Sequence, residues 1–175
     1  MTSTTRSFRI DKNLSSILDA EAERMGVSVN GLVNSVLKRY SEFTRFLSKI
    51  DLVVINREIL VSLLNGQSEE EVYKLGMAMG ETIPRDTILF WKKELTLDTV
   101  LEYIDKIMCR YGYLGTYDIL DHNATKVIVI RHRLGKKGSG FFHGYLKAAL
   151  NNILDINGSF EITESSIVMQ INYHK

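Results

Sequence analysis

Apolar and polar residues alternate at the start of the chain, which is the pattern of a β-strand. In residues 4–10, Phe8 and Ile10 share one face of an extended chain, and Thr5, Ser7 and Arg9 share the other. A strand this short is not stable without a partner strand. The elements that the pattern predicts next are helices. We therefore expect the strand to pair with the same strand of a second copy.

Two short amphipathic helices follow this strand. Asp11 and Ser28 are suited to N-cap them, and Gly26 is suited to end the first at a positive φ. The helical stripes consist of Leu14, Ile17, Leu18, Ala22 and Met25 in the first helix and of Leu32, Val33, Val36, Leu37 and Tyr40 in the second. A strand and two helices of this size bury little surface alone, so dimerisation is expected.

The pattern changes after residue 47, where we place a domain boundary: domains at 1–47 and 48–175. The second domain is predicted to contain a β-branched run at 52–55, helices at 57–64, from Ser68 to before Pro84, at 97–111 and at 139–154, and strands at 87–91, 114–121, 125–134, 160–163 and 167–173. This order is close to β-α-β-β-α-β with one extra strand. The predicted fold class is α+β.

Composition and charge narrow the class of protein. The 175 residues carry a net charge of +1, and residues 1–47 hold seven basic and five acidic residues. That mild basic excess permits nucleic-acid binding at the N-terminus. The single Cys109 rules out an internal disulfide framework and fits a reducing compartment. With no membrane-spanning run and no signal peptide at the start, we expect a cytoplasmic protein and no membrane partner.

The N-terminal residues resemble a known family. The ribbon Arg6-Ser7-Phe8-Arg9-Ile10, the helix start at Asp11, the helix end at Met25-Gly26 and the turn 26–30 resemble ribbon-helix-helix regulators of the Arc, MetJ and CopG type. This resemblance covers about a quarter of the chain. It implies a sequence-specific, DNA-binding transcriptional regulator, commonly a repressor, whose partners are double-stranded DNA and a second copy of itself.

The resemblance implies a set of DNA contacts. A two-stranded ribbon fits the major groove, so Thr5, Ser7 and Arg9 are expected to contact base edges. The start of the second helix is expected to bind phosphate through Ser28, Val29 and Asn30, as the family implies. Arg6 shares the face of Phe8 and is expected to contact phosphate. The alternative for this segment is a dimerisation arm that contacts no DNA.

The second domain is faintly similar to the sensor domain of nickel-responsive repressors, in its order of elements and in residues 120–130, which resemble that family's metal-bearing hairpin. The metal ligands do not carry over, because residues 116–119 contain no histidine and Cys109 lies on the preceding helix. His122, His132, His143 and His174 share no ligand spacing. We therefore predict no metal site and no cofactor. Whether His132, His143 and Cys109 come together in space stays open at this point, as do a tetramer and a small-molecule effector.

The densest basic stretch, residues 131–140, precedes a predicted helix. Arg131, Arg133, Lys136 and Lys137 could bind an anion or make a second contact to the DNA backbone, and the alternative is a solvated loop. No set of nucleophile, base and orienting group is visible, so we do not expect an enzyme. Two further alternatives are an antitoxin-like binder of a protein partner and a ligand-binding domain whose ribbon serves only dimerisation.

Overall fold

The chain folds as two compact units. The structure is a computed structural model that describes residues 4–47, 49, 53–122 and 125–172. The division falls between Met1–Arg45 and Phe46–Lys175, which we call the N-terminal unit and the C-terminal unit. This division does not test the roles predicted for the two domains.

The N-terminal unit is a pair of helices, as predicted. Helix α1 spans Lys12–Met25 and helix α2 spans Val29–Glu42, and a 3₁₀ turn at Thr44–Phe46 spans the boundary between the two units. The Asp11 carboxylate accepts the backbone N–H of Asn13 at 2.7 Å, and the Ser28 hydroxyl accepts that of Gly31 at 3.1 Å. Gly26 has a φ of 65°, the left-handed conformation that glycine adopts without a steric penalty.

The predicted N-terminal ribbon strand is wrong for the single chain. Residues 4–11 are neither helical nor in a strand, and all of them are exposed. An isolated strand has no partner for its backbone N–H and C=O groups, so it gains no ladder hydrogen bonds to offset the loss of chain entropy. The first regular element among the described residues is therefore helix α1.

Three helical segments open the C-terminal unit. Helix α3 spans Arg57–Asn65, α4 spans Glu69–Lys92, and α5 spans Leu97–Glu102 and continues as a π-helix over Tyr103–Tyr111. Ser68 and Glu71 form a capping box at the start of α4.

The strand predicted at 87–91 is wrong, because α4 continues through Pro84 to Lys92. The buried residues of α4 recur at every fourth position and include Pro84 itself and, one turn later, the fully buried Ile88. Proline removes one backbone donor and one helical hydrogen bond. In this helix, tertiary packing on both sides of the proline overrides that local cost.

Four antiparallel strands form one sheet. They are β1 at Gly115–His122, β2 at Thr125–His132, β3 at Ser159–Ile162 and β4 at Ser166–Asn172, in the order β1-β2-β4-β3. These strands confirm the predictions for the second half of the chain, and the α+β class holds. The first strand of the predicted β-α-β-β-α-β plan is absent from the described residues.

The core lies between the sheet and its helices. Helix α6, at Gly135–Leu154, packs against β3 and β4, the π-helix packs against β1, and α4 packs on α6. The most deeply buried side chains of the sheet are Ile128, Ile130, Ile167, Met169 and Ile171. Because side chains alternate along a strand, these residues share the face that α6 covers.

Helices α4 and α6 approach so closely that their backbones touch. A Cβ on Gly76 would lie 2.2 Å from the carbonyl oxygen of Phe141, and one on Gly144 would lie 2.4 Å from that of Tyr73. Gly80 meets the carbonyl oxygen of Tyr145 in the same way, at 2.2 Å. The sequence therefore needs glycine at these three positions for the helix pair to form.

Candidate functional site

The N-terminal unit exposes most of its large apolar side chains. Among its described residues, the buried hydrophobic ones are Ala22, Leu32 and Phe43. The exposed ones, which we call the N-terminal apolar surface, are Phe8, Ile10, Leu14, Ile17, Met25, Val27, Val29, Val36, Leu37 and Tyr40. Phe8 is 69% exposed and Tyr40 is 58% exposed. A folded unit with a core of its own buries most of its large apolar side chains, whereas this unit exposes most of them.

The exposed apolar residues form a row on each helix. In α1 the row contains Leu14, Ile17 and Met25, and in α2 it contains Val29, Val36 and Tyr40. Spacings of three, four, seven and eight residues place side chains on one face of a helix. The hydrophobic pattern predicts these stripes, and the sequence analysis expects dimerisation to cover them.

The area of this surface is comparable with that of a protein interface. From the exposed fractions of its ten side chains, the apolar area is on the order of 900 Å². A standard interface buries about 800 Å² on each partner. The α2 row contains no charged residue, whereas in α1 Glu21 lies on the same face between Ile17 and Met25, where Arg24 pairs with it.

The residues predicted to contact DNA are all on the surface. Thr5, Arg6, Ser7 and Arg9 lie in the irregular segment before α1, and Ser28, Val29 and Asn30 lie at the start of α2. The hydroxyl of Ser28 already caps α2, and Val29 belongs to the N-terminal apolar surface. The contacts predicted for these seven residues are not tested by their placement.

The basic stretch of residues 131–137 is largely engaged within the chain. Arg131 pairs with Asp118 across β1 and β2, and Lys136 pairs with Glu69 at 2.7 Å. Lys137 Nζ donates to the carbonyl oxygens of Asn65, at 2.8 Å, and Gln67. Nothing in the sequence indicated that Lys137 would hold the end of α3. Anion binding by this stretch stays untested.

Two open clefts lie in the C-terminal unit. One has a volume of about 650 Å³ and is lined by residues that include Tyr73, Lys136 and Thr163. The other has a volume of about 740 Å³ and lies at the start of α3, where Arg57 and Arg133 line it. Both clefts are wide and charged at their rims, and neither contains a buried polar side chain that would orient a ligand.

A buried histidine joins the end of β2 to the start of α6. His132 is 4% exposed, and its Nδ1 accepts the backbone N–H of Leu134 at 3.2 Å. In the neutral ring the proton is therefore on Nε2, which donates to Ser139 Oγ at 2.9 Å. In this tautomer the Ser139 hydroxyl accepts a hydrogen bond from Nε2. Because Nε2 carries the proton, it cannot act as the base that would activate the hydroxyl. Burial lowers the pKa of His132, which favours the neutral ring.

His143 and Cys109 do not join His132. The His143 ring lies 5.1 Å from Tyr73 and 4.9 Å from Phe160, measured between ring centroids. Cys109 is buried in the π-helix, where burial first and Asp105 second raise the pKa of its thiol to about 12. Within the described ranges, no three His, Cys, Asp or Glu side chains gather as metal ligands. His174 lies outside the described residues.

Two tyrosine hydroxyls meet in the core. Tyr103 and Tyr145 are both buried, and their oxygens are 2.5 Å apart. Burial raises the pKa of Tyr103 to about 12 and that of Tyr145 well above its usual value. Both phenols are therefore neutral at physiological pH, and their hydrogen bond ties the π-helix to α6.

Comparisons with known proteins were made for the whole chain. No family profile matches the sequence, and no curated protein matches it. A solved structure that does match is the crystal structure of a trafficking protein particle complex subunit 3 from Naegleria fowleri, covalently bound to palmitic acid. The two are 13% identical, the TM-score is 0.39, and the match covers 82% of this chain and 96% of that chain. At this TM-score the similarity transfers neither fold nor function.

These findings correct the functional predictions. The matched structure is a subunit of a protein complex, whereas the sequence predicted a ribbon-helix-helix repressor with DNA as its partner. The described residues also lack the N-terminal strand on which that resemblance depended. Without that strand there is no ribbon to enter a major groove, so the predicted family, the DNA-binding function and the DNA partner are wrong for the residues that the structure describes. Separately, none of the helices in the described residues is long and apolar enough to span a membrane.

Proposed function

We propose that this chain is a non-catalytic assembly module that binds protein through its N-terminal apolar surface. The observation that carries the proposal is the exposure of ten large apolar side chains in a unit that buries only three hydrophobic residues among those described. Contiguous apolar patches of this size mark sites of protein interaction. A unit of about 45 residues also buries too little surface to be stable alone.

The occupant to which we commit is a second copy of this chain. The α2 row Val29-Val36-Tyr40 has no charged residue, and the one acid on the α1 face, Glu21, is paired with Arg24 of the same chain, which limits like-charge repulsion between two copies. Together the ten exposed side chains offer an apolar area on the order of 900 Å² per copy, comparable with the area of about 800 Å² that each partner buries in a standard interface. The support is the exposure of these side chains and not a family resemblance.

The buried histidine–serine pair and the buried cysteine support a role without catalysis. The buried pair His132–Ser139 has its proton on the nitrogen that faces the serine, so the serine is not activated. The thiol of Cys109 is buried with a raised pKa, which disfavours the thiolate. A free, reduced cysteine is consistent with the cytoplasm, and that location is part of this proposal.

Sedimentation velocity of the full chain tests the proposal. Ile17→Glu places a charge in the middle of the α1 row, and Ala20→Glu places the same charge at an exposed position of the same helix outside the row. We expect the unaltered chain and Ala20→Glu to sediment as dimers. Ile17→Glu should weaken association by at least about 100-fold, because each dimer would bury two unpaired carboxylates.

The outcomes separate the candidate partners. A monomer at all concentrations for the unaltered chain would overturn self-association. A dimer that Ile17→Glu leaves intact would place the interface elsewhere. A third outcome is a monomer that binds a purified, identified protein and loses that binding in Ile17→Glu. The surface would then be a binding site for that protein and not for a second copy.

A further inference from the structure

His132 occupies the corner where β2 turns into α6. Both of its ring nitrogens are used: Leu134 N–H donates to Nδ1, and Nε2 donates to Ser139 Oγ. Its backbone N–H donates to the carbonyl oxygen of Ser165 at 2.8 Å, which fixes the residue to the β3–β4 turn. Phe142 packs edge-on against the ring at 5.2 Å between centroids. The ring therefore connects the sheet to the first two turns of α6.

The surroundings of the ring do not compensate a positive charge. The charged residues on the elements around it are Arg131 and Arg133 beside it in the chain, Lys136 and Lys137 on α6, Asp118 on β1 and Glu164 on the β3–β4 turn. Asp118 pairs with Arg131, Lys136 pairs with Glu69, and Lys137 donates to backbone carbonyl oxygens of residues 65 and 67, so these four groups bond away from the ring. Burial alone lowers the pKa of His132.

Protonation would change one of the two ring hydrogen bonds into a repulsive contact. The bond from Nε2 to Ser139 survives, because Nε2 is already the donor. At Nδ1, however, the new N–H would face the N–H of Leu134, donor against donor. The charged ring would also be buried without an opposite charge, which costs free energy. Opening of the junction between β2 and α6 would expose the ring to water and remove that cost.

We propose that His132 is a proton-operated latch that holds the first turns of α6 against the sheet at neutral pH and releases them on acidification. The released segment contains Lys137, whose ammonium group holds the carbonyl oxygens of Asn65 and Gln67 at the end of α3. Opening of the latch therefore also frees α3. This inference does not depend on the proposed function, because the latch lies wholly in the C-terminal unit.

Amide hydrogen exchange on the full chain tests the latch. From about pH 7.5 to about pH 5, and after correction for intrinsic rates, protection of residues 134–140 should fall severalfold more than protection of α4. In His132→Gln, whose amide can donate and accept without titrating, that extra loss should vanish. In His143→Gln it should persist, because His143 contacts Tyr73 and Phe160 instead.

A second measurement keeps the test decisive if His132→Gln does not fold. In the unaltered chain, the ¹⁵N shifts of the His132 ring and the amide shifts of Leu134 and Ser139 should titrate together, with a midpoint below about 6.5. Equal loss of protection across α4 and residues 134–140, or amide shifts that titrate apart from the His132 ring, would overturn the latch.

Discussion

At the scale of single residues, glycines decide how α4 and α6 pack. Gly76, Gly80 and Gly144 each leave room for a backbone carbonyl of the other helix at a distance where a Cβ cannot fit. Their function was not visible in the sequence, where glycine reads as a helix breaker and carries no sign of a close helix approach. The paired hydroxyls of Tyr103 and Tyr145 were missed for the same reason, because a pair 42 positions apart has no local pattern.

Gly144→Ala should destabilise the chain by about 1–3 kcal/mol, because the new methyl group must push Tyr73 and the α4 backbone away. The matched control is Gly140→Ala in the same helix, where nothing lies within 4 Å of the added Cβ. The control should be neutral or stabilise by up to about 1 kcal/mol, from helix propensity. Urea unfolding monitored at Trp91 measures both. Equal effects of the two substitutions would refute the close approach.

Cys109 should resist alkylation in the folded chain. Its side chain is buried, and burial and Asp105 raise the pKa of the thiol to about 12, so the reactive thiolate is scarce at neutral pH. Iodoacetamide, followed by mass spectrometry, should modify Cys109 slowly in buffer and rapidly in urea. Equal rates in the two conditions would show that the π-helix opens readily.

At the scale of elements, hydrophobic periodicity predicted α1, α2, α3, α6 and all four strands of the sheet. It failed where the deciding interaction is distant in sequence. Pro84 was interpreted as the end of α4, but packing of Val72 and Ile88 on the same side of the helix carries α4 past it. Residues 4–10 alternate as a strand does, but alternation cannot supply the partner strand that a single chain lacks.

Lys137 should stabilise α3 more than Lys136 does. Lys137 donates to two carbonyl groups at the end of α3, whereas Lys136 forms an exposed ion pair with Glu69. Lys137→Ala should therefore cost about 1 kcal/mol and lower the hydrogen-exchange protection of α3. Lys136→Ala should change stability little, since exposed ion pairs contribute little. Identical protection of α3 in both variants would contradict the assigned contact.

At the scale of the whole molecule, stability should depend on two histidines. Burial lowers the pKa of His132, and burial followed by Lys147 lowers that of His143. The unfolded chain then binds more protons than the folded chain just below about pH 6.5. The free energy of unfolding should be highest above that pH and decrease as the pH falls toward the folded-state pKa values. Urea unfolding at several pH values measures this, and a flat profile from pH 7 to pH 5 would contradict it.

The two units also differ in how they bury their apolar residues. The C-terminal unit has a complete core between its sheet and helices, centred on residues such as Ile128, Phe142 and Met169. The N-terminal unit leaves ten large apolar side chains exposed. Intermolecular burial of this surface is the central claim of the account.

Intermolecular nuclear Overhauser effects in a mixture of isotope-labelled and unlabelled full chain test that claim most directly. The account predicts intermolecular signals from the methyl groups of Leu14, Ile17 and Val36, which lie in the two exposed rows. It predicts none from Ile128 or Ile167, which are fully covered within one chain. Intermolecular signals confined to methyl groups of the C-terminal unit, or no such signals at a concentration well above about 10 μM, would contradict it.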